Sequence, residues 1–233
     1  MHDSLTLRLA GEEMRLLADR ALFWPAQNLL LVADLHLGKG HALRRGGIAV
    51  PSGGTRQDLH RLHRLLDVTG ARELCVLGDF LHGPVDRAEW VDEWRRWRAQ
   101  HADLPISVVA GNHDRRLQRH AADWGLALHE EGWTRGPFEL KHLPVVGTRH
   151  VIAGHLHPRV RYPGLPGRWP AFLLREPLTI LPAFSLFTGG GDPLPGHDVL
   201  AVAGDADDVA LGVDRLGRQR RRIAVAHGAR GRR

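Results

Sequence analysis

The 233-residue sequence predicts an α/β protein in which two β-sheets pack as a sandwich with helices outside. Three observations lead there. Apolar runs at Leu29–Ala33, Leu74–Leu77, Ile106–Ala110 and His150–Ala153 each end in small or polar residues. Helical patterns lie between the first three of these runs. After Trp133 the texture changes to short strand-like pieces separated by Gly and Pro turns, with little helical periodicity.

Each element follows from local pattern. Runs this short, rich in Val, Leu and Ile and bounded by Gly or Asp, read as buried strands. Between the first two, Thr55 and Asp58 have the spacing of a capping box, and Leu59, Leu62, Leu65 and Leu66 follow on one helical face. A second helix is expected from near Asp86, with Trp90, Val91, Trp94 and Trp97 at helical spacing. Those tryptophans read as helix-to-sheet packing rather than a platform for stacking bases. Alternating strand and helix implies a βαβ-type layered sheet. In the second half, Phe138–Lys141, Ala171–Arg175, Thr179–Leu181, Val199–Ala203 and Val209–Val213 form the expected second, mostly β portion. One domain over residues 1–214 is expected to carry any catalysis. Leu216–Arg233 has no sustained apolar pattern, so residues 215–233 are expected to be a mobile, Arg-rich tail.

Composition excludes several classes. Hydrophobic residues make up 43% and charged residues 25%, ordinary for a globular protein. No apolar run reaches membrane-spanning length, and Met1–Arg20 lacks the apolar core of a signal peptide. The one cysteine, Cys75, excludes an internal disulfide framework, agrees with a reducing cytoplasm, and reads as a small buried hydrophobe. A net charge of +6 invites a nucleic-acid reading, but the eight arginines of 215–233 leave the other 214 residues at −2. Arginine also outnumbers lysine thirty to two, a skew that genome composition can produce without any phosphate partner.

Chemistry-bearing residues sit where the apolar runs end. Asp34-Leu35-His36 follows the first, Gly78-Asp79 the second, Gly111-Asn112-His113-Asp114 the third and Gly154-His155-Leu156-His157 the fourth. Side chains at the carboxyl ends of adjacent strands converge on a common crevice. Gly78, Gly111 and Gly154 would permit the sharp turns that aim the next side chain inward. In Asp34-Leu35-His36 and His155-Leu156-His157, period-two spacing would bring both side chains to one side of an extended chain. Carboxylates, imidazoles and one amide, with no thiolate, suit Mn²⁺, Fe or Zn²⁺ and disfavour an all-oxygen Ca²⁺ cage. A carboxylate bridging two cations about 3.5–4 Å apart would give the arrangement used for in-line displacement at phosphorus. Lys39, Arg44 and Arg45, just after the first pair, could contact substrate phosphates or lie in a solvated loop. His82 could approach the metals or the leaving group. His60, His63, His120 and His129 scatter without ligand spacing.

The order Asp-x-His, Gly-Asp, Gly-Asn-His-Asp, His, Gly-His-x-His across residues 34–157 resembles the calcineurin-like metallophosphoesterase superfamily. The resemblance implies a four-layer αββα sandwich of two mixed sheets flanked by helices, and two divalent metals, with Mn²⁺ foremost. It implies that Asp34, His36, Asp79 and His157 hold the first metal, that Asp79 bridges, and that Asn112, His142 and His155 complete the second. It implies that His113 binds no metal but stabilises the transition state or protonates the leaving oxygen. His142 is preferred to its competitor His150.

A narrower likeness rests on Ala33-Asp34-Leu35-His36-Leu37-Gly38-Lys39, Arg44-Arg45-Gly46-Gly47-Ile48, Val50-Pro51-Ser52-Gly53, Leu181-Pro182-Ala183-Phe184 and Thr188-Gly189-Gly190. These resemble the bacterial ligase-associated DNA-damage-response endonucleases. That likeness implies a cytoplasmic DNA phosphodiesterase acting in repair alongside an ATP-dependent DNA ligase, a helicase and an exonuclease. Small phosphoesters such as cyclic nucleotides are the alternative substrate, and a non-catalytic scaffold is the alternative class.

Overall fold

The computed structural model describes residues 4–82, 85, 89–130, 132–161, 167–194, 196–205 and 208–213, with the backbone alone from 198 onward. The tail expected at 215–233 and the helix start expected near Asp86 lie outside these residues. The first sheet begins as an antiparallel meander, β1 (Ser4–Leu9), β2 (Glu12–Leu17) and β3 (Ala21–Trp24), which pairs with β4 (Leu29–Ala33). It continues in parallel through β5 (Glu73–Leu77), β6 (Ile106–Val109) and β7 (Leu126–His129), so that its seven strands lie in chain order. Between them run α1 (Lys39–Arg45), α2 (Gly54–Thr69), α3 (Glu89–Gln100) and α4 (Gln118–Ala121).

The second sheet is built from β8 (Trp133–Arg135), β9 (Phe138–Lys141), β10 (His150–Ala153), β11 (Arg159–Val160), β12 (Trp169–Arg175), β13 (Leu178–Ile180), β14 (Asp198–Asp205) and β15 (Asp208–Val213). Its order is β15-β14-β12-β13-β10-β9-β8, with β11 on β12. The β9–β10 and β10–β13 pairs are parallel and the rest antiparallel, so both sheets are mixed, as expected.

Burial explains the unbroken apolar runs. Leu30 and Val32 of β4, Leu74 and Val76 of β5, and Ile106 and Val108 of β6 face one core with Leu59, Leu62, Leu65 and Leu66 of α2 and Trp90, Trp94 and Trp97 of α3. The alternate residues Leu29, Leu31, Ala33, Cys75, Leu77 and Val109 face Phe138, Leu140, Ile152, Phe172 and Leu181 of the second sheet. A strand covered on both faces has no polar side to show. On the far face of the second sheet, Val151, Ala153, Ala171, Leu173 and Ile180 form a third cluster. Among the described residues the helices all precede β7, and no helical residue is part of that third cluster.

The capping box is not formed. Gly53, with φ +81°, caps α2 without a side-chain bond. Thr55 already lies inside the helix, and its hydroxyl accepts the Gly38 N–H at 3.2 Å. Asp58 is buried and accepts from Arg61 at 3.0 Å. At the other end the Gly70 N–H returns to Leu66 O from a left-handed residue, a common helix stop.

Candidate metal centre

Beyond their strands, the chains after β4 and β5 stay side by side. Asp34 N–H donates to Gly78 O at 3.2 Å, His36 N–H to Asp79 O at 2.7 Å and Leu37 N–H to Phe80 O at 2.9 Å. Neither stretch is extended. Asp34, His36 and Asp79 have φ of 54°, 47° and 44°, and His155 and His157 on the opposing loop have 70° and 47°. The period-two expectation is therefore replaced by left-handed turns, which throw successive side chains toward one point. Gly78 does supply a positive φ of 77°. Gly111 and Gly154 are needed for space instead: a Cβ at Gly111 would overlap Asp79, and one at Gly154 would stand 2.6 Å from Asp34 Oδ2.

The carboxylates are held by one oxygen each. Asp34 Oδ2 accepts the His155 N–H at 2.9 Å, and Asp79 Oδ1 accepts the His113 N–H at 3.0 Å. Asp114 fixes the loops themselves, accepting from Phe80, Leu81 and Gly111 N–H at 3.1, 2.9 and 2.9 Å. Burial pushes its carboxyl up, and those three bonds pull it back. Asp114 was in view as the last residue of Gly111-Asn112-His113-Asp114, but its role as a clamp was not read there.

Two donor clusters result. Asp34, His36 and His157 offer ligand atoms all within 4.8 Å of one another, and so do Asp79, His142 and His155. In the first, Asp34 Oδ1, His36 Nε2 and His157 Nε2 are buried without a hydrogen-bond partner. Three orphaned polar atoms converging on one point are explained by a cation between them. In the second, His142 Nε2 lies 2.9 Å from Asn112 Oδ1, 3.0 Å from His155 Nδ1 and 3.6 Å from Asp79 Oδ1. Asp79 Oδ2 is 3.8 Å from His36 Nε2, so this carboxylate stands between the clusters. Burial, then Lys39 and the neighbouring histidines, lowers His36 to about 2. Its imidazole is neutral and keeps a lone pair for a cation. Burial, then His142, also lowers His155. The donor set fits two divalent ions.

The other expected residues divide. His113 Nε2 lies 3.9 Å from Asp79 Oδ2 with its side chain 43% exposed, outside both clusters. His82 Nδ1 approaches His36 Nδ1 at 3.4 Å, and its ring is 5.1 Å from that of His113. Burial, then Lys39 and His113, lowers it to about 4. Lys39 opens α1, half-buried; burial lowers its ammonium, while Asp79 and Asp34 pull it back up. Arg44 donates instead to Pro51 O at 2.9 Å, and Arg45 is exposed at the end of α1, so neither joins the clusters. His150 is buried between Glu176 Oε2 at 2.7 Å and Thr179 Oγ1 at 2.9 Å and is in neither cluster, whereas His142 is in the second.

Two oxygen–nitrogen clusters with Asp79 close to both, at the carboxyl ends of parallel strands, suit a metal-dependent phosphoesterase. A sequence model described as calcineurin-like phosphoesterase matches residues 28–156, and the chain belongs to that family. It is similar to the Pseudomonas putida nuclease MPE, at 36% identity and a TM-score of 0.76, over 86% of this chain and 97% of that one. YfcE, a phosphoesterase from E. coli, aligns at 18% identity and a TM-score of 0.42, over 84% of this chain and 96% of that one. AQ665 from Aquifex aeolicus, a protein of unknown function, aligns at 17% and 0.41, over 55% and 78%. Neither of these two alignments is close enough to inform the site. No curated protein sequence matches the chain significantly.

Proposed function

We propose that the protein hydrolyses DNA phosphodiester bonds as a repair endonuclease, with Mn²⁺ preferred to Fe or Zn²⁺. The position of Asp79, 3.8 Å from His36 on one side and 3.6 Å from His142 on the other, is the observation that most supports the two-ion chemistry. The 36% identity to a nuclease across most of the chain supports a nucleic acid as the substrate, and the resemblance to ligase-associated DNA endonucleases supports DNA. We assign Asp34, His36, Asp79 and His157 to one ion, and Asp79, Asn112, His142 and His155 to the other. Bound there, the ions supply charge for the phosphoryl oxygens and make water nucleophilic at neutral pH.

The remaining roles belong to the chain's own groups. His113, exposed at the mouth and outside both donor sets, donates a proton from Nε2 to the leaving oxygen. His82 packs against the rings of His36 and His113 and orients them. Lys39 adds positive charge beside the reacting phosphate, and Arg44 and Arg45 meet phosphates further along the strand. Residues 1–214 form the catalytic unit. The resemblance to ligase-associated endonucleases supports work in the cytoplasm beside an ATP-dependent DNA ligase, a helicase and an exonuclease. Among the described residues no helix is long and apolar enough to cross a membrane.

The test compares circular single-stranded DNA, linear single-stranded DNA and an aryl phosphodiester with purified, Mn²⁺-loaded protein. Nicking of the circle together with ester hydrolysis, both lost on chelation, is expected. Hydrolysis of the small ester with the circle untouched would make the protein a small-phosphoester hydrolase. A chain that binds no metal and cleaves nothing would be a scaffold.

A further inference from the structure

The second donor cluster opens on one side into a cleft of about 590 Å³, within the range of small-ligand sites. His142 of that cluster and Asn112, whose Oδ1 is 2.9 Å from His142 Nε2, both line the cleft. Directly after His142 the chain turns apolar faces to water: Leu143 is 49% exposed, Val145 61% and Val146 55%. Half of the large hydrophobics exposed among the described residues fall in this one short segment beside a metal ligand. Apolar surface concentrated in this way marks a binding face rather than chance exposure.

The rest of the lining says what the face would bind. Arg115, one residue after the Asp114 clamp, lines the cleft and is exposed, with no hydrogen bond or ion pair among the described residues. The other cation of the lining, Lys141, is already matched by Glu139 at 2.5 Å. Gln118 is likewise engaged, donating to Glu130. Glu130 also lines the cleft, its carboxylate accepting from Gln118. An apolar wall with an unpaired arginine is the pairing that single-stranded nucleic acid uses, with base faces on the wall and phosphate at the arginine.

We propose that this cleft holds the nucleoside adjoining the scissile phosphate, its base against Leu143 and Val145 and its next phosphate at Arg115. The proposal rests on the phosphodiesterase reading above and adds where the substrate lies. Because the wall is aliphatic and Gln118 is occupied, the base is held by its face and not read by its edge, so all bases fit alike.

The test uses Mn²⁺-loaded protein and two esters with the same leaving group, methyl 4-nitrophenyl phosphate and a thymidine 4-nitrophenyl phosphate (5′ or 3′, whichever is faster). The expected kcat/KM favours the nucleoside ester by at least about tenfold, the order that one base contact contributes. In Leu143→Asp and Val145→Asp that ratio falls toward one. Arg115→Ala keeps the ratio and instead lowers kcat/KM for a dinucleotide ester carrying a second phosphate. A wild-type ratio near one, or aspartate variants with the wild-type ratio, would overturn the cleft assignment and leave the hydrolase standing. Wild-type protein that cleaves neither ester would overturn both.

Discussion

Asp34, His36, Asp79, His155 and His157 hold φ between 44° and 70°, a region that costs a non-glycine residue about 1–3 kcal/mol. Glycine would relieve each position and remove its ligand, so the strain stays where the chemistry needs a side chain. The compensating bonds are local: the backbone pairs between the loops after β4 and β5, and the three N–H groups on Asp114. Asp79 carries the largest expected consequence because it stands between the two clusters. Asp79→Asn should lower metal content at both positions and abolish turnover; near wild-type turnover would refute the shared role. His113 differs, since its side chain touches no orphaned donor atom. His113→Ala should keep full metal content while turnover falls about 10²-fold or more, the range expected for the general-acid role proposed above. Metal analysis beside a turnover assay separates the two outcomes.

Among the elements, α2 reaches furthest from its own layer. Its buried Arg61 donates to Phe184 O and to Asp58, while Phe184 N–H donates to Ala33 O at 2.7 Å and Ser185 N–H to Asp34 O at 3.3 Å. The helix thereby fixes the segment that flanks the first ligand. Asp58→Ala would leave Arg61 buried without its counter-ion and should destabilise the fold by about 3–5 kcal/mol, read from denaturant midpoints. Little of this was legible beforehand. The Thr55 to Asp58 spacing imitates a cap, and only burial reveals Asp58 as an ion-pair partner. The apolar face of α2 and the strands β4, β5, β6 and β10 were legible because cover on both faces leaves nothing polar to blur them. The meander β1–β3 was legible but not expected: in β1, Leu5, Leu7 and Leu9 alternate with exposed Ser4, Thr6 and Arg8, the period-two pattern of a half-buried strand rather than an unbroken apolar run. Helix α1 was missed because seven residues carrying glycine and three basic side chains present no apolar stripe.

At the scale of the whole molecule, the site is a seam between the sheets. Asp34, His36, Asp79 and Asn112 follow strands of the first sheet; His142, His155 and His157 follow strands of the second. Ion binding should therefore stabilise the entire fold. At free Mn²⁺ one hundred times its Kd the gain is about 2.7 kcal/mol for each ion. Thermal unfolding should show a midpoint that climbs with Mn²⁺ and falls back with a chelator. A midpoint indifferent to Mn²⁺ would mean that the ions do not join the two halves. The order of the motif pieces was legible at this scale because each closes an apolar run, whereas the net charge was already seen in the sequence to reside in the tail. Dividing both clusters between the halves also ties any ion binding to completion of the second sheet. A nascent chain that has emerged only as far as Lys141, or a proteolytic fragment ending there, has every acidic ligand and none of the three closing histidines. Such a chain should bind neither ion and hydrolyse nothing, an outcome that metal analysis of the 1–141 fragment checks.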